Sequence, residues 1–121
     1  MKPNPLDEMA RLALDSLDLA VSIIDPNGTL LYYNRHSAEI LNRKPEYIGT
    51  DIHGHHQKAA NEKLDRMLRD FSHGRTEPFQ YEARPYGKAI SVTISPLLKE
   101  GVLIGCVQTV RLKIETGADN Q

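Results

Sequence analysis

Three histidines fall within four residues, at His53, His55 and His56, in the segment Asp51-Ile52-His53-Gly54-His55-His56. Imidazole is the commonest side-chain ligand for metals and haem iron, so chemistry is sought here first. Three ligands so close in sequence rarely converge on one tetrahedral ion without strain, and no cysteine adjoins them. A surface zinc site is therefore not expected. Downstream, Ala60, Leu64, Met67, Leu68 and Phe71 recur at helical spacing. Extending that stripe backwards reaches His56, which would point into the protein, while His55 would lie about 100° round the helix, toward solvent or the rim. His53, just before Gly54, is less constrained. The competing reading is that His56 packs at or caps the helix start and binds nothing. The one cysteine, Cys106, lies between Gly105 and Val107. A thiol in such an apolar run is usually a small buried hydrophobe, and nothing basic adjoins it to lower its pKa.

The elements that must position these groups can be read from the periodicity. Pro5 to Leu17 predicts a helix, with Asn4 as cap and an apolar stripe of Leu6, Met9, Ala10, Ala13 and Leu17. Leu19–Ile24 and Thr29–Tyr33 predict two strands joined by the turn Asp25-Pro26-Asn27-Gly28, a β-hairpin. Asn34 is the expected N-cap of a short helix over 35–41, with Ala38 and Leu41 facing inward. Pro45–Gly49 predicts a single turn ended by glycine, and a long helix runs over 57–72. Strands are predicted at 78–84, 88–97 and 101–112. In the fourth, Ile90, Val92 and Ile94 alternate with Ser91, Thr93 and Ser95. Two alternations compete in the last strand: Val102, Ile104 and Cys106 against Leu103, Gly105 and Val107. Strands separated by a helical block predict an α+β fold, five antiparallel strands with the helices on one face. The N-terminal stripe is expected either to cover the other face or to meet a second chain.

Composition excludes several classes of function. A chain of 121 residues is one domain. With 40% hydrophobic and 26% charged residues it is ordinarily globular. No apolar run approaches the ~18 residues of a membrane span, and no secretory h-region follows Met1. Fifteen basic against sixteen acidic residues, a net charge of -1, give no electrostatic argument for nucleic acid or an anionic membrane. A single cysteine permits no intramolecular disulfide, and a reducing cytoplasm is the expected compartment. There is no Gly-x-Ser-x-Gly, phosphate loop or dinucleotide fingerprint, so no enzymatic activity is expected. A small hotdog-like or cystatin-like fold with a catalytic carboxylate such as Asp51 would need one central helix wrapped by a long sheet. The middle of this chain instead breaks into several short helices.

Read together, the residues resemble the PAS domain family of small sensor modules, over about Leu14 to Val110. The early signature is Ile24-Asp25-x-x-Gly28-x-Leu30-x-x-x-Asn34-x-x-x-Ala38-x-x-x-Leu41, then Tyr47-Ile48-Gly49-x-Asp51; the late one is Gly101-x-x-x-Gly105. The resemblance implies an N-terminal cap helix over 1–18, a PAS domain over 19–114 and a polar tail over 115–121. It also implies a ligand pocket between sheet and helices, and sensing or partner binding rather than catalysis. A homodimer through the N-terminal helix is implied too, with the signal passed to a partner protein or a fused output domain.

The histidine segment resembles one PAS subgroup more closely. That subgroup carries Cys-His-Pro-Pro after the Ile-Gly-x-Asp motif. Here His55 stands at the cysteine position, His56 at the histidine, and Gln57-Lys58 replace the prolines. Haem-bearing PAS regulators that sense carbon monoxide ligate iron from a similar place, which makes haem the candidate cofactor and His56 the candidate iron ligand. Met67, Cys106 or a water would supply the second axial position. The oxygen-sensing haem PAS mode, with a histidine deeper in the long helix, finds none in Met67-Leu68-Arg69-Asp70-Phe71. No cysteine lies in the middle block, so flavin photochemistry is not expected. The expected pocket lining is Ile23, Leu31, Leu41, Ile52, Leu64, Met67, Leu68, Ile90, Val92 and Ile94, with His56, Met67, Leu64, Ile90 and Val92 as the cofactor contacts. The alternative within this family is a dimerisation module with no ligand.

Overall fold

The computed structural model describes residues 5–56 and 58–113. The predicted helix start at Gln57, the cap at Asn4 and the tail over 115–121 lie outside them. Helix α1 (Pro5–Ser16) leads into β1 (Ala20–Ile24), β2 (Leu30–Tyr33) and α2 (Arg35–Leu41). Single-turn 3-10 helices at Pro45–Tyr47 and Ile52–His55 follow, then α3 (Lys58–Ser72), β3 (Phe79–Ala83), another such turn at Pro85–Gly87, β4 (Ile90–Lys99) and β5 (Val102–Leu112). The five strands form one antiparallel sheet in the order β2-β1-β5-β4-β3. The first and last strands are thus central neighbours, with Ala20 opposite Val110.

Local chemistry sets each junction. Asp25 Oδ1 accepts from the backbone N–H of Asn27 and of Thr29, both at 2.9 Å, and so holds the hairpin turn. Gly28 closes it at φ 93°, and a Cβ there would stand 2.9 Å from the His53 ring. Glycine is therefore required twice, by backbone conformation and by space. At Gly105 a Cβ would meet the Ile24 carbonyl oxygen at 2.6 Å, so this glycine allows β5 to lie against β1.

Asn34 caps α2 as expected, and does more. Its Oδ1 accepts from Ser37 N at 3.0 Å and from Val21 N at 2.9 Å. Its Nδ2 donates to Leu14 O and Leu19 O, at 2.6 and 2.8 Å. One buried amide thereby ties α1, β1 and α2 together, each of its bonds replacing water the site excludes. Beside it Ser22 and Ser37 share a 2.8 Å hydrogen bond, drawing α2 onto the sheet. The expected inward pair Ala38 and Leu41 is only half-buried, whereas Ser37 and Ile40 are buried. The helix packs through a hydroxyl pair that an apolar stripe cannot reveal.

The core is the inner sheet face, including Leu30, Ile90, Val92, Ile94 and Val110, covered by Leu64, Met67, Leu68 and Phe71 of α3. Each such side chain removed from water contributes roughly 1.5–3 kcal/mol. Two irregularities reset the pleat. Ile23 pairs with Tyr32 but Ile24 with Leu30, so Leu31 is an extra residue on β2. Leu31 therefore points outward, 50% exposed, and Leu30 takes the inward place expected of it. Likewise Leu97 pairs with Gly105 and Leu98 with Leu103, so Ile104 is extra on β5. Leu103 packs on the core before this slip, and Cys106 and Val110 after it. Neither simple alternation describes the strand.

Helix α1 does not close over the sheet with its apolar stripe. Met9 and Leu17 are exposed, and so is Leu12, which the stripe had not included. The helix is attached through its C-terminal turn, where Leu14 O meets Asn34, and Asp15 Oδ1 accepts from Arg35 N at 3.0 Å.

Candidate ligand cavity

Between the inner sheet face and the helices lies a cavity of about 1300 Å³. Ligand sites commonly occupy roughly 300–1,000 Å³, so the space is ample for a cofactor-sized molecule. Its floor is Ile24, Ile90, Val92, Ile94, Cys106 and Gln108, and its helical side includes Leu41, Leu64 and Met67. All five expected cofactor contacts line it: His56, Met67, Leu64, Ile90 and Val92. Leu41 and Ile52 line it too, whereas Ile23 and Leu31, on the outer side of the hairpin, and Leu68 do not.

The three clustered histidines diverge. His53 is clamped between two carboxylates. Its Nδ1 contacts Asp51 Oδ1 and its Nε2 lies 2.6 Å from Asp65 Oδ1. These contacts hold the imidazolium, raising the His53 pKa above its ordinary value. The ring links the 3-10 turn at Ile52–His55 to the second turn of α3, and Asn61 Nδ2 donates to His53 O at 2.9 Å. His55 stacks on Tyr47 with ring centroids 3.8 Å apart, and its Nε2 lies 3.1 Å from Thr50 Oγ1.

His56 differs from both. It stands in extended conformation, φ -120° and ψ 159°, between the 3-10 turn and α3. It therefore reaches the cavity through an extended link, not on the helical stripe from which its direction was read. Its Nδ1 is buried with no hydrogen-bond partner. Burial, then the nearby Arg43 charge, then the other two histidines push its pKa down to about 4, so it is neutral at physiological pH. Neutral imidazole is the form in which histidine ligates a metal, and His56 is a residue of the cavity lining. Met67 and Cys106, in the same wall, are soft donors. Burial pushes the Cys106 thiol up to about 11, so it is protonated and unreactive. Among the described residues no group of three or more His, Cys, Asp or Glu could hold a metal ion.

Sequence reasoning missed Arg43. Helix α2 ends at Asn42 in the left-handed region, φ 55°, a conformation asparagine tolerates better than most. The next residue, Arg43, is only 7% exposed and lines the cavity, where its Nη2 donates to Gln108 Oε1 at 3.2 Å. A residue type that is nearly always exposed gives no such signal in sequence. The turn residue before it was the available hint.

The elements form an α+β domain with a cavity between sheet and helices, and comparison with known proteins gives the family. The PAS domain profile matches residues 11–111. The chain belongs to the PAS domain family, whose members are generally sensory modules rather than enzymes. No curated protein sequence matches significantly. Among solved structures the chain is similar to the PAS domain of BvgS from Bordetella pertussis, at 16% identity, over 93% of this chain and 89% of that one, TM-score 0.71. It is similar to a PAS domain from Colwellia psychrerythraea at 18% identity, over 93% and 100% of the two chains, TM-score 0.73. It also resembles the photoactive yellow protein domain of the sensor histidine kinase Ppr from Rhodospirillum centenum, at 18% identity, over 91% and 99%, TM-score 0.64. No helix among the described residues is long and apolar enough to cross a membrane.

Proposed function

We propose that this PAS domain is a sensor that holds a small ligand in the cavity between sheet and helices, and that haem, bound through His56, is that ligand. The observation that carries the reading is His56 itself: neutral, with a buried unengaged nitrogen, lining a cavity of about 1300 Å³. The other two clustered histidines are occupied, by Asp51 and Asp65 and by Tyr47 and Thr50. When bound, haem would supply an iron centre able to take a diatomic gas or change redox state. The chain's part is to give the iron one imidazole nitrogen, to surround the ring with Leu64, Ile90 and Val92, and to offer Met67 as a second donor. Its single, buried thiol suits a reducing cytoplasm.

Haemin titration of the purified protein tests this. Wild type should give a Soret band at one equivalent. His56→Ala should abolish it, and His55→Ala and His53→Ala should retain it. An unchanged spectrum in His56→Ala removes His56 as ligand, and no uptake by wild type removes haem. The second reading is a ligand-free dimerisation module. It is favoured by Met9 and Leu12 on α1 and Leu17 just after it, three large apolar side chains left exposed. In either reading the signal passes through α1 to a second copy or a partner protein.

A further inference from the structure

The walls of the cavity are electrically one-sided. Arg43, Lys44, Lys63 and Arg84 all line it, and no aspartate or glutamate does among the described residues. The whole chain is close to neutral, at -1, so this is a local segregation of charge. Arg43 is the most telling member. It is only 7% exposed, its Nη2 donates to Gln108 Oε1 of the sheet, and both residues line the cavity. Lys63 folds over the Tyr81 ring with its Nζ 3.6 Å from the centroid, and both residues line the cavity. Ile90, Val92 and Ile94 of the sheet and Met67 of α3 line the same space and are apolar.

We infer that the ligand is an amphipathic organic anion: a flat apolar body against the sheet and a carboxylate-type group at the Arg43 side of the cavity. This rests on the reading of the cavity as a ligand site, and not on haem. The cationic and the apolar side chains line one space, so a single molecule can meet both. A planar guanidinium already held by Gln108 loses little freedom when it takes an oxyanion. The acid group could belong to a haem propionate or to a free organic acid, since the chemistry recognised is the same.

Two fluorescent probes with one apolar body test this, 8-anilinonaphthalene-1-sulfonate and the uncharged N-phenyl-1-naphthylamine. Wild type should bind the sulfonate tighter than the neutral probe by about tenfold to a hundredfold, the range for a charge-assisted contact. Arg43→Gln should remove most of that preference without changing the neutral probe's affinity, and Arg43→Lys should restore part of it. Should Arg43→Gln fail to fold, Lys44→Gln combined with Arg84→Gln, at exposed positions, should reduce the preference instead. Displacement of the sulfonate by haemin but not by its dimethyl ester would trace the anion to the propionates. Displacement by 2-naphthoate would trace it to a free acid. Equal affinity of wild type for the two probes would overturn the anion inference and leave the cavity reading intact. Failure of both probes to bind would overturn the cavity reading itself.

Discussion

At the scale of single residues, buried and bridging polar groups carry most of the specificity. Asn34 uses its amide oxygen and nitrogen in four hydrogen bonds to backbone up to twenty residues away. Asn34→Asp is nearly isosteric, yet it would set a carboxylate oxygen against the carbonyls of Leu14 and Leu19. A loss of about 3 kcal/mol is expected by urea denaturation, and a change below about 1 kcal/mol would show that the amide does not bind all three segments. His53 offers a different test, through pH. Its pKa is raised by hydrogen bonds to Asp51 and Asp65, and that of Asp51 is lowered by its bonds to the His53 backbone and ring. The histidine's contribution is therefore complete below its unfolded value of 6.5 and fades as pH rises through its raised folded value. The contribution of Asp51 is present above its unfolded value of 3.8 and fades as pH falls through its depressed one. The stability difference between wild type and His53→Ala should peak between these two values and shrink in alkali. With both carboxylates exposed the difference should be small, and a pH-independent difference would exclude the charged clamp.

At the scale of elements, much of the chain was legible because local chemistry is strong where elements begin and end. Asp25-Pro26-Asn27-Gly28 announces a turn, Asn34 a cap, and the Ile90, Val92, Ile94 alternation a half-buried strand. Five strands and three helices follow near the predicted limits. The two bulges were not legible. The extra residues Leu31 and Ile104 are ordinary β formers, and only the pairing partner shows that each strand slips by one there. The direction of His56 was anticipated from a helical stripe, although its backbone is extended. The burial of Arg43 depends on Gln108, sixty-five residues away, which no local pattern contains. Gly105 is the element-scale test. A methyl group there would stand 2.6 Å from the Ile24 carbonyl, and backbone on both sides leaves little that can yield. Gly105→Ala should cost roughly 2 kcal/mol and lower Tm by about 8 °C. Gly54→Ala, with no atom within 4 Å of its Cβ, should leave Tm near wild type. Equal effects of the two substitutions would show that β1 and β5 can separate without loss.

At the scale of the whole molecule, the question is what α1 does with its apolar face. The helix is joined to the domain by its C-terminal turn, while Met9 at 62% exposed and Leu12 at 63% exposed point away from it. A face of this kind on an otherwise polar helix gains most by meeting its like, and a two-fold symmetric pairing needs only one self-complementary patch. Deleting residues 1–17 would be an ambiguous test, since it also removes Leu14 O, which Asn34 uses, and Asp15, which holds the start of α2. Any loss of mass could then reflect unfolding. Met9→Glu with Leu12→Glu changes the exposed face alone and leaves those anchors in place. The wild-type chain should sediment as a dimer at micromolar concentration and the double variant as a monomer with unchanged circular dichroism. If the double variant still sediments as a dimer, the interface lies elsewhere. If wild type is monomeric throughout, the exposed face of α1 does not pair with a second copy of the chain.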